Sequence, residues 1–282
     1  LNNRGTFESD LVALRLSDES YLLYVGTTLV KRDLSWLKSH LEPGKRIKLR
    51  DETESFAVLA LAGPDSVRIA AEAGASELKE LKYFHHTATE IAGIPIRAVR
   101  VSFVGEAGWE LSFPAEDASK VCQVLLDAGA KPAGLFAQSS MRIEKRFAVM
   151  GHELDGDVTP LEAGLECAVD WEKNFIGREA LIRKREEGVD QEMVTIVLDN
   201  DQAVPLGNEP VLLNDKIIGQ TTSASFGYRI GKPLALAYLK RDLMADLNQE
   251  KVHADIAGRL FAGHVLRNAT FDPSWKKMRI LQ

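Results

Sequence analysis

The segment Val101-Ser-Phe-Val-Gly-Glu-Ala-Gly-Trp-Glu-Leu111 alternates apolar residues into a Gly-Glu-Ala-Gly turn. It alternates out again through Trp109, Leu111 and Phe113. That pattern predicts two strands joined by a tight connection, with Gly105 and Gly108 free to take positive φ. A carboxylate at the turn, Glu106, can accept hydrogen bonds from a ligand with N–H donors, and Phe103 and Trp109 can flank a flat ring. Local pattern alone favours a plainer reading, a hairpin with an exposed glutamate.

Outward from this segment, alternation predicts paired strands over 10–16 and 21–25, joined at Ser17-Asp18-Glu19. An amphipathic helix over 29–41 ends at Pro43-Gly44, and a buried strand covers 56–61. Helices are expected over 65–73, 115–126, 138–147 and 178–187, with a strand over 94–103. From Met193 on, short strands alternate with the turn signals Pro205-Leu-Gly-Asn208, Asn214-Asp215, Gly231-Lys-Pro233 and Ala257-Gly258. That spacing suggests a small β-barrel or sandwich. The change in character near 188–191 divides the chain into 1–188 and 189–282. There is no internal repeat or low-complexity tract.

The 282 residues are 45% hydrophobic and 27% charged, an ordinary globular balance that suggests two domains. A net charge of −6 without any lysine- or arginine-rich run argues against a nucleic-acid partner. No apolar run reaches the roughly 18 residues of a membrane span, and no signal peptide is recognisable. Cys122 and Cys167 lie among apolar neighbours and are expected to be buried thiols. His85 and His86 are adjacent, so on a strand they point to opposite faces and suit structure better than a shared metal. Gly26-Thr27-Thr28 lacks the lysine of a phosphate loop, and no G-x-G-x-x-G follows a strand. No flavin or nicotinamide fold is therefore expected within the chain, and no metal site.

The opening segment resembles the Y-x-G-E-x-G-x-E motif of the glycine-cleavage T-protein (aminomethyltransferase) family. Asn2-Asn-Arg-Gly-Thr-Phe-Glu-Ser-Asp-Leu11 resembles that family's N-x-x-G-x-x-x-x-D-L segment. Leu34-Ser-Trp-Leu37, Leu61-Ala-Gly-Pro64 and Met141-Arg-Ile-Glu-Lys145 follow in the family's order. So do Thr159-Pro-Leu-Glu-Ala-Gly164, Phe175-Ile-Gly-Arg-Glu-Ala-Leu181, Gly219-Gln-Thr-Thr-Ser223 and Gly231-Lys-Pro-Leu-Ala-Leu-Ala-Tyr238. The resemblance is collinear over nearly the whole chain. It implies an α+β fold, ferredoxin-like and α/β portions with a C-terminal small β-barrel, and a tetrahydrofolate-binding aminomethyltransferase-like domain over 1–188. By that comparison the family's first segment is missing, which makes a fragment, a processed chain or the tail of a fusion the expectation.

The resemblance makes Asp10 the catalytic aspartate, beside the folate nitrogens; pattern alone reads it as a turn-capping residue. It makes Glu106 the pterin contact, walled by Phe103 and Trp109 where relatives carry Tyr, with Tyr83 and Phe147 as further edges. Glu110 corresponds to the family's second glutamate, or points to solvent. Arg142 either contacts folate or forms a buried ion pair, the second being favoured. Gln138-Ser139 replaces an Arg-Asp pair of the T-protein proper, which draws the chain toward the folate region of dimethylglycine and sarcosine dehydrogenases and oxidases. There the expected chemistry moves an amine-borne one-carbon unit to tetrahydrofolate. FAD would be confined to a missing or partner flavin oxidoreductase domain, and the other partners would be folate and a methylated amine. The chain would work in the cytoplasm, or in the mitochondrial matrix of a eukaryote. Alternatives are the glycine-cleavage protein itself, a folate-dependent demethylase, a non-catalytic folate-binding protein of the iron–sulfur repair type, and a remnant without folate affinity. A reactive cysteine in its family context is lacking for the repair reading.

Overall fold

Among the described residues, twelve strands arise where alternation or continuous apolar runs meet turn residues. The computed structural model describes the backbone of 1–248 and 251–279 and the side chains of 1–244 and 251–279. Its fold is α+β, with a closed barrel formed by the C-terminal strands. The chain divides into two compact units that do not follow its order, Val12–Gln138 with Ser274–Gln282, and Leu1–Leu11 with Ser139–Pro273.

In the first of these, β1 (Leu11–Ser17) and β2 (Ser20–Val25) form a two-stranded sheet, followed by α1 (Val30–Ser39). A second, antiparallel sheet contains β3 (Phe56–Ala62), β4 (His86–Ile91), β5 (Ile94–Val99) and β6 (Gly108–Pro114), in the order β3-β6-β5-β4. Leu61 of β3, Ile94, Ile96 and Ala98 of β5 and Trp109, Leu111 and Phe113 of β6 share one core. Ile69 and Ala70 of α2 (Ser66–Glu72) and Val121 and Leu125 of α3 (Ala118–Asp127) complete it. β3 is only half-buried: Phe56 and Val58 are exposed, against the expectation of a buried strand. As an edge strand it has a neighbour on one side only, and it alternates accordingly. β4 was not expected from sequence. It pairs with β5 through a two-residue turn at Ala92 (φ 53) and Gly93 (φ 75), with Ile91 opposite Ile94.

The pairing of β5 with β6 is as the opening segment predicts, but its connection is longer. β5 stops at Val99, opposite Glu110, and residues 100–107 form the loop. Gly105 takes φ 79, as expected. Gly108 matters for a different reason: a Cβ there would lie 2.3 Å from the Leu61 carbonyl oxygen on β3.

In the other unit, α4 (Leu135–Glu144, from Ser139 on) and α5 (Arg178–Glu187) precede a closed barrel. Its strands are β7 (Gln191–Leu198), β8 (Pro210–Leu213), β9 (Lys216–Gly227), β10 (Lys232–Lys240), β11 (Val252–Ile256) and β12 (Arg259–Leu266), in the order β10-β7-β12-β11-β8-β9. Two-residue turns with positive φ join β8 to β9 at Asn214 (48) and Asp215 (63), and β11 to β12 at Ala257 (52) and Gly258 (79). Val194, Ile196, Leu198, Val211, Ala237, Leu239 and Val252 fill the interior.

The cysteines correct an expectation. Cys167 is exposed on a single 3-10 turn, Glu166–Ala168, and Cys122 is half-buried. Apolar neighbours in sequence do not decide which way a side chain on one helical turn points. No described helix is long and apolar enough to cross a membrane. Gly108→Ala should destabilise the chain by roughly 1–3 kcal/mol, because the added methyl overpacks the β3–β6 contact. Denaturant unfolding checks this, with Gly105→Asn as the milder control.

Candidate functional site

Asp10 is placed by a loop tied down on both sides. Asn2 Oδ1 accepts from the backbone N–H groups of Arg4 (2.9 Å) and Thr6 (3.4 Å). The Thr6 hydroxyl donates to the Gly156 carbonyl (2.6 Å), and the Phe7 N–H to the Val158 carbonyl (2.9 Å). Gly5 takes φ 74 where a Cβ would crowd Leu181 and the Gly177 carbonyl. Asp10 emerges from this loop just before β1. Asp10 is exposed, yet desolvation by nearby protein raises its carboxyl above the ordinary carboxylate range.

At the C-terminal end of α4, Arg142 is held in a buried ion pair. It is 4% exposed, and its guanidinium pairs with Glu153 at 2.8 Å and donates to the Phe147 carbonyl (3.2 Å) and the Ser223 hydroxyl (2.6 Å). Glu153 is 0% exposed and also accepts from Thr222 (2.6 Å) and the Val149 N–H (3.1 Å). The pair and the Ser223 and Thr222 hydroxyls bonded to it lie within one compact unit. The neighbouring Glu144 accepts from the Arg229 N–H (2.7 Å). Phe147, half-buried, closes the helix with its N–H on the Arg142 carbonyl (2.8 Å).

The other unit gathers Tyr83, Phe103, Glu106 and Glu110. Strand pleating turns Trp109, Leu111 and Phe113 into the core and Gly108, Glu110 and Ser112 to the opposite face. Trp109, 1% exposed, is therefore core and not the open wall expected; its indole N–H finds no acceptor among the described residues. Phe103 and Glu106 are half-buried on the 100–107 loop. Glu106 lines a cavity of about 210 Å³ with Gly63, Pro64, Val67, Ala107, Lys276 and Lys277. Tyr83 is half-buried, and desolvation raises its phenol against the opposing charges of Arg279 and Arg100.

Glu110 is the residue that sequence reasoning under-weighted. It does not point to open solvent: it is half-buried, and desolvation raises its carboxyl. Neither a hydrogen bond nor an ion pair holds it among the described residues. Its neighbours on that face are Ser112, bonded to the Tyr24 hydroxyl at 2.6 Å, and Tyr24 itself, whose phenol the Glu110 charge pushes further up. The signal was present in the alternation, which sends Glu110 away from the core that takes Trp109. A desolvated carboxyl without a cationic partner is a recurrent property of ligand and acid–base sites.

His86 is held between the Arg15 carbonyl (3.1 Å) and the Arg97 guanidinium (3.3 Å), so Nε2 carries the proton and Nδ1 accepts. His85 is exposed. Among the described residues no three His, Cys, Asp or Glu side chains stand together as metal ligands.

Two outcomes are expected. Arg142→Met leaves Glu153 buried and uncompensated and should cost about 3–5 kcal/mol in denaturant unfolding. Glu110 has a folded-state carboxyl raised above its unfolded value, so its contribution is present at acid pH and lost as pH rises through the raised value. Glu110→Gln should therefore flatten the fall in melting temperature between acid and neutral pH and stabilise the chain at neutrality, measured by thermal melts across that range.

A model of the GCVT N-terminal domain matches residues 1–173, and one of the glycine cleavage T-protein C-terminal barrel domain matches 191–272. The mitochondrial dimethylglycine dehydrogenase of Mus musculus is 31% identical over 276 residues, 95% of this chain and 32% of that protein. The chain thus spans about a third of the length of such relatives. The aminomethyltransferase of Exiguobacterium sibiricum is 31% identical over 259 residues, 92% of this chain and 70% of that one. That of Listeria welshimeri is 34% identical over 264 residues, covering 90% and 72%. In three dimensions the glycine cleavage system aminomethyltransferase T from Bartonella henselae superposes with a TM-score of 0.84 at 24% identity, over 100% of this chain and 76% of that one, which shows the shared fold. Matched along both halves by the family's own domains, the chain belongs to the glycine cleavage T-protein family.

Proposed function

We propose that this chain is a tetrahydrofolate-dependent one-carbon transferase module that takes a methylene group from an N-methylated amine such as dimethylglycine or sarcosine. The observation that carries the reading is Glu110. A pterin edge offers adjacent N–H donors, and a desolvated carboxylate with no hydrogen bond or ion pair among the described residues is the acceptor that such an edge fits. This favours Glu110 over Glu106 as the pterin contact, with Phe103 and Tyr83, of the same unit, as candidate walls. When bound, tetrahydrofolate supplies the nitrogen nucleophiles that receive the carbon. Asp10, with its raised carboxyl, suits a group that takes up the proton released as a nitrogen–carbon bond forms and that stabilises a cationic carbon nearby.

The donor assignment rests on the dimethylglycine dehydrogenases matched over 95% of the chain and on Gln138-Ser139. In this reading FAD and the amine oxidation belong to another domain or a partner, and 1–188 and 189–282 are the folate-binding and barrel domains. The mitochondrial relatives favour the matrix for a eukaryotic source. A second reading, the glycine-cleavage reaction itself, is supported by the aminomethyltransferases, of which the chain covers 70% and 72%.

Anaerobic titration calorimetry with tetrahydrofolate tests the proposal. The chain should bind with a Kd on the order of micromolar, and Glu110→Gln should weaken binding about tenfold or more, some 1.4 kcal/mol. Glu106→Gln should have the smaller effect. Asp10→Asn should keep affinity while cutting carbon transfer roughly 100-fold. A cooperatively folded chain without tetrahydrofolate affinity overturns the reading.

A further inference from the structure

Arg100 follows β5 and opens the loop that carries Phe103 and Glu106. It is 6% exposed, and among the described residues no carboxylate pairs with it. Its guanidinium instead donates to three backbone carbonyls, those of Leu81 (2.7 Å), Arg279 (2.8 Å) and, more weakly, Met278 (3.5 Å). Its Nε finds no partner among the described residues. A buried cation without a counter-charge is costly, so its protein acceptors are not incidental. Here they belong to two segments far apart in sequence. One leads into Tyr83. The other is a strap over 274–279 containing the short helix α6 (Lys276–Arg279) and anchored by Met278, 1% exposed. The strap's Lys276 and Lys277 line the cavity that Glu106 also lines, and Arg279 lies near enough to Tyr83 to act on its phenol.

We infer that Arg100 is a positioning residue that docks the C-terminal strap and the 81–83 turn onto the end of β5, and so places Tyr83 and sets the Glu106, Lys276 and Lys277 lining of the cavity. The docking stands on its own geometry; its consequence for tetrahydrofolate rests on the function proposed above.

The strap carries three tryptic sites, Lys276, Lys277 and Arg279, which gives a direct readout. Limited trypsin digestion followed by intact-mass spectrometry should cut these sites slowly in the native chain. Arg100→Lys cannot bridge both segments with one ammonium. In that variant the cuts should come at least tenfold faster, with the rest of the chain intact and the melting temperature little changed. Met278→Ala, which leaves Arg100 and the sheet untouched, should release the strap in the same way from the other side. In both variants tetrahydrofolate affinity should fall at least tenfold. Unchanged cleavage in both folded variants overturns the docking. Faster cleavage with undiminished affinity overturns the positioning role. A native chain that does not bind tetrahydrofolate removes the functional reading, and the cleavage comparison still decides the docking.

Discussion

The pleat of β6 is the constraint on which the candidate site depends. The strand is paired on both sides, with β3 and β5, and buries Trp109, Leu111 and Phe113 on one face. Each such side chain contributes about 1.5–3 kcal/mol by leaving water. A slip of one residue would exchange the two faces and expose all three. That burial holds Glu110 on the opposite face, where its carboxyl would not settle by preference. The desolvation of one acid is thus offset by the packing of its neighbours, and the strained group need not contribute to folding itself.

The barrel unit relies on enclosed charge. Glu153 offers two oxygens, and Arg142, Thr222 and the Val149 N–H converge on them from α4, β9 and the turn between. Tyr238 of β10 donates to the Glu153 carbonyl at 2.8 Å. Lys145, fully buried, meets Asp272 at 3.0 Å. Such pairs add little net stability compared with apolar packing, but leaving either member alone is expensive. They therefore restrict how the end of α4 and the barrel strands fit together within that unit.

Much of the fold was legible because strands and turns are written locally. The Asn214-Asp215 and Ala257-Gly258 turns mark barrel hairpins in the sequence, and both residues of each take positive φ. β4 is hard to read because His86-Thr-Ala-Thr-Glu-Ile91 carries almost no apolar alternation, and its hairpin signal lies in the Ala92-Gly93 turn that follows. The site was less legible. Periodicity reveals that Trp109 and Glu110 face opposite ways, but only the packing of α2 and α3 reveals which face is the core. Arg142 found its partner eleven positions further on, in a turn that no period marks. Gly108 and Gly105 look alike in sequence, yet one answers to a neighbouring strand and the other to its own dihedral angle.

The strap over 274–279 has a consequence for how the protein is made. It packs with residues synthesised much earlier, those of 12–138, while the whole barrel lies between them in the chain. At roughly 5–20 residues per second, the ribosome exposes the β3–β6 sheet well before Met278 exists to complete it. During that interval Arg100 lacks two of its three carbonyl acceptors, and the barrel, whose strand contacts are nearer in sequence, can close first. Completion of the older unit then becomes the late, long-range step of biogenesis.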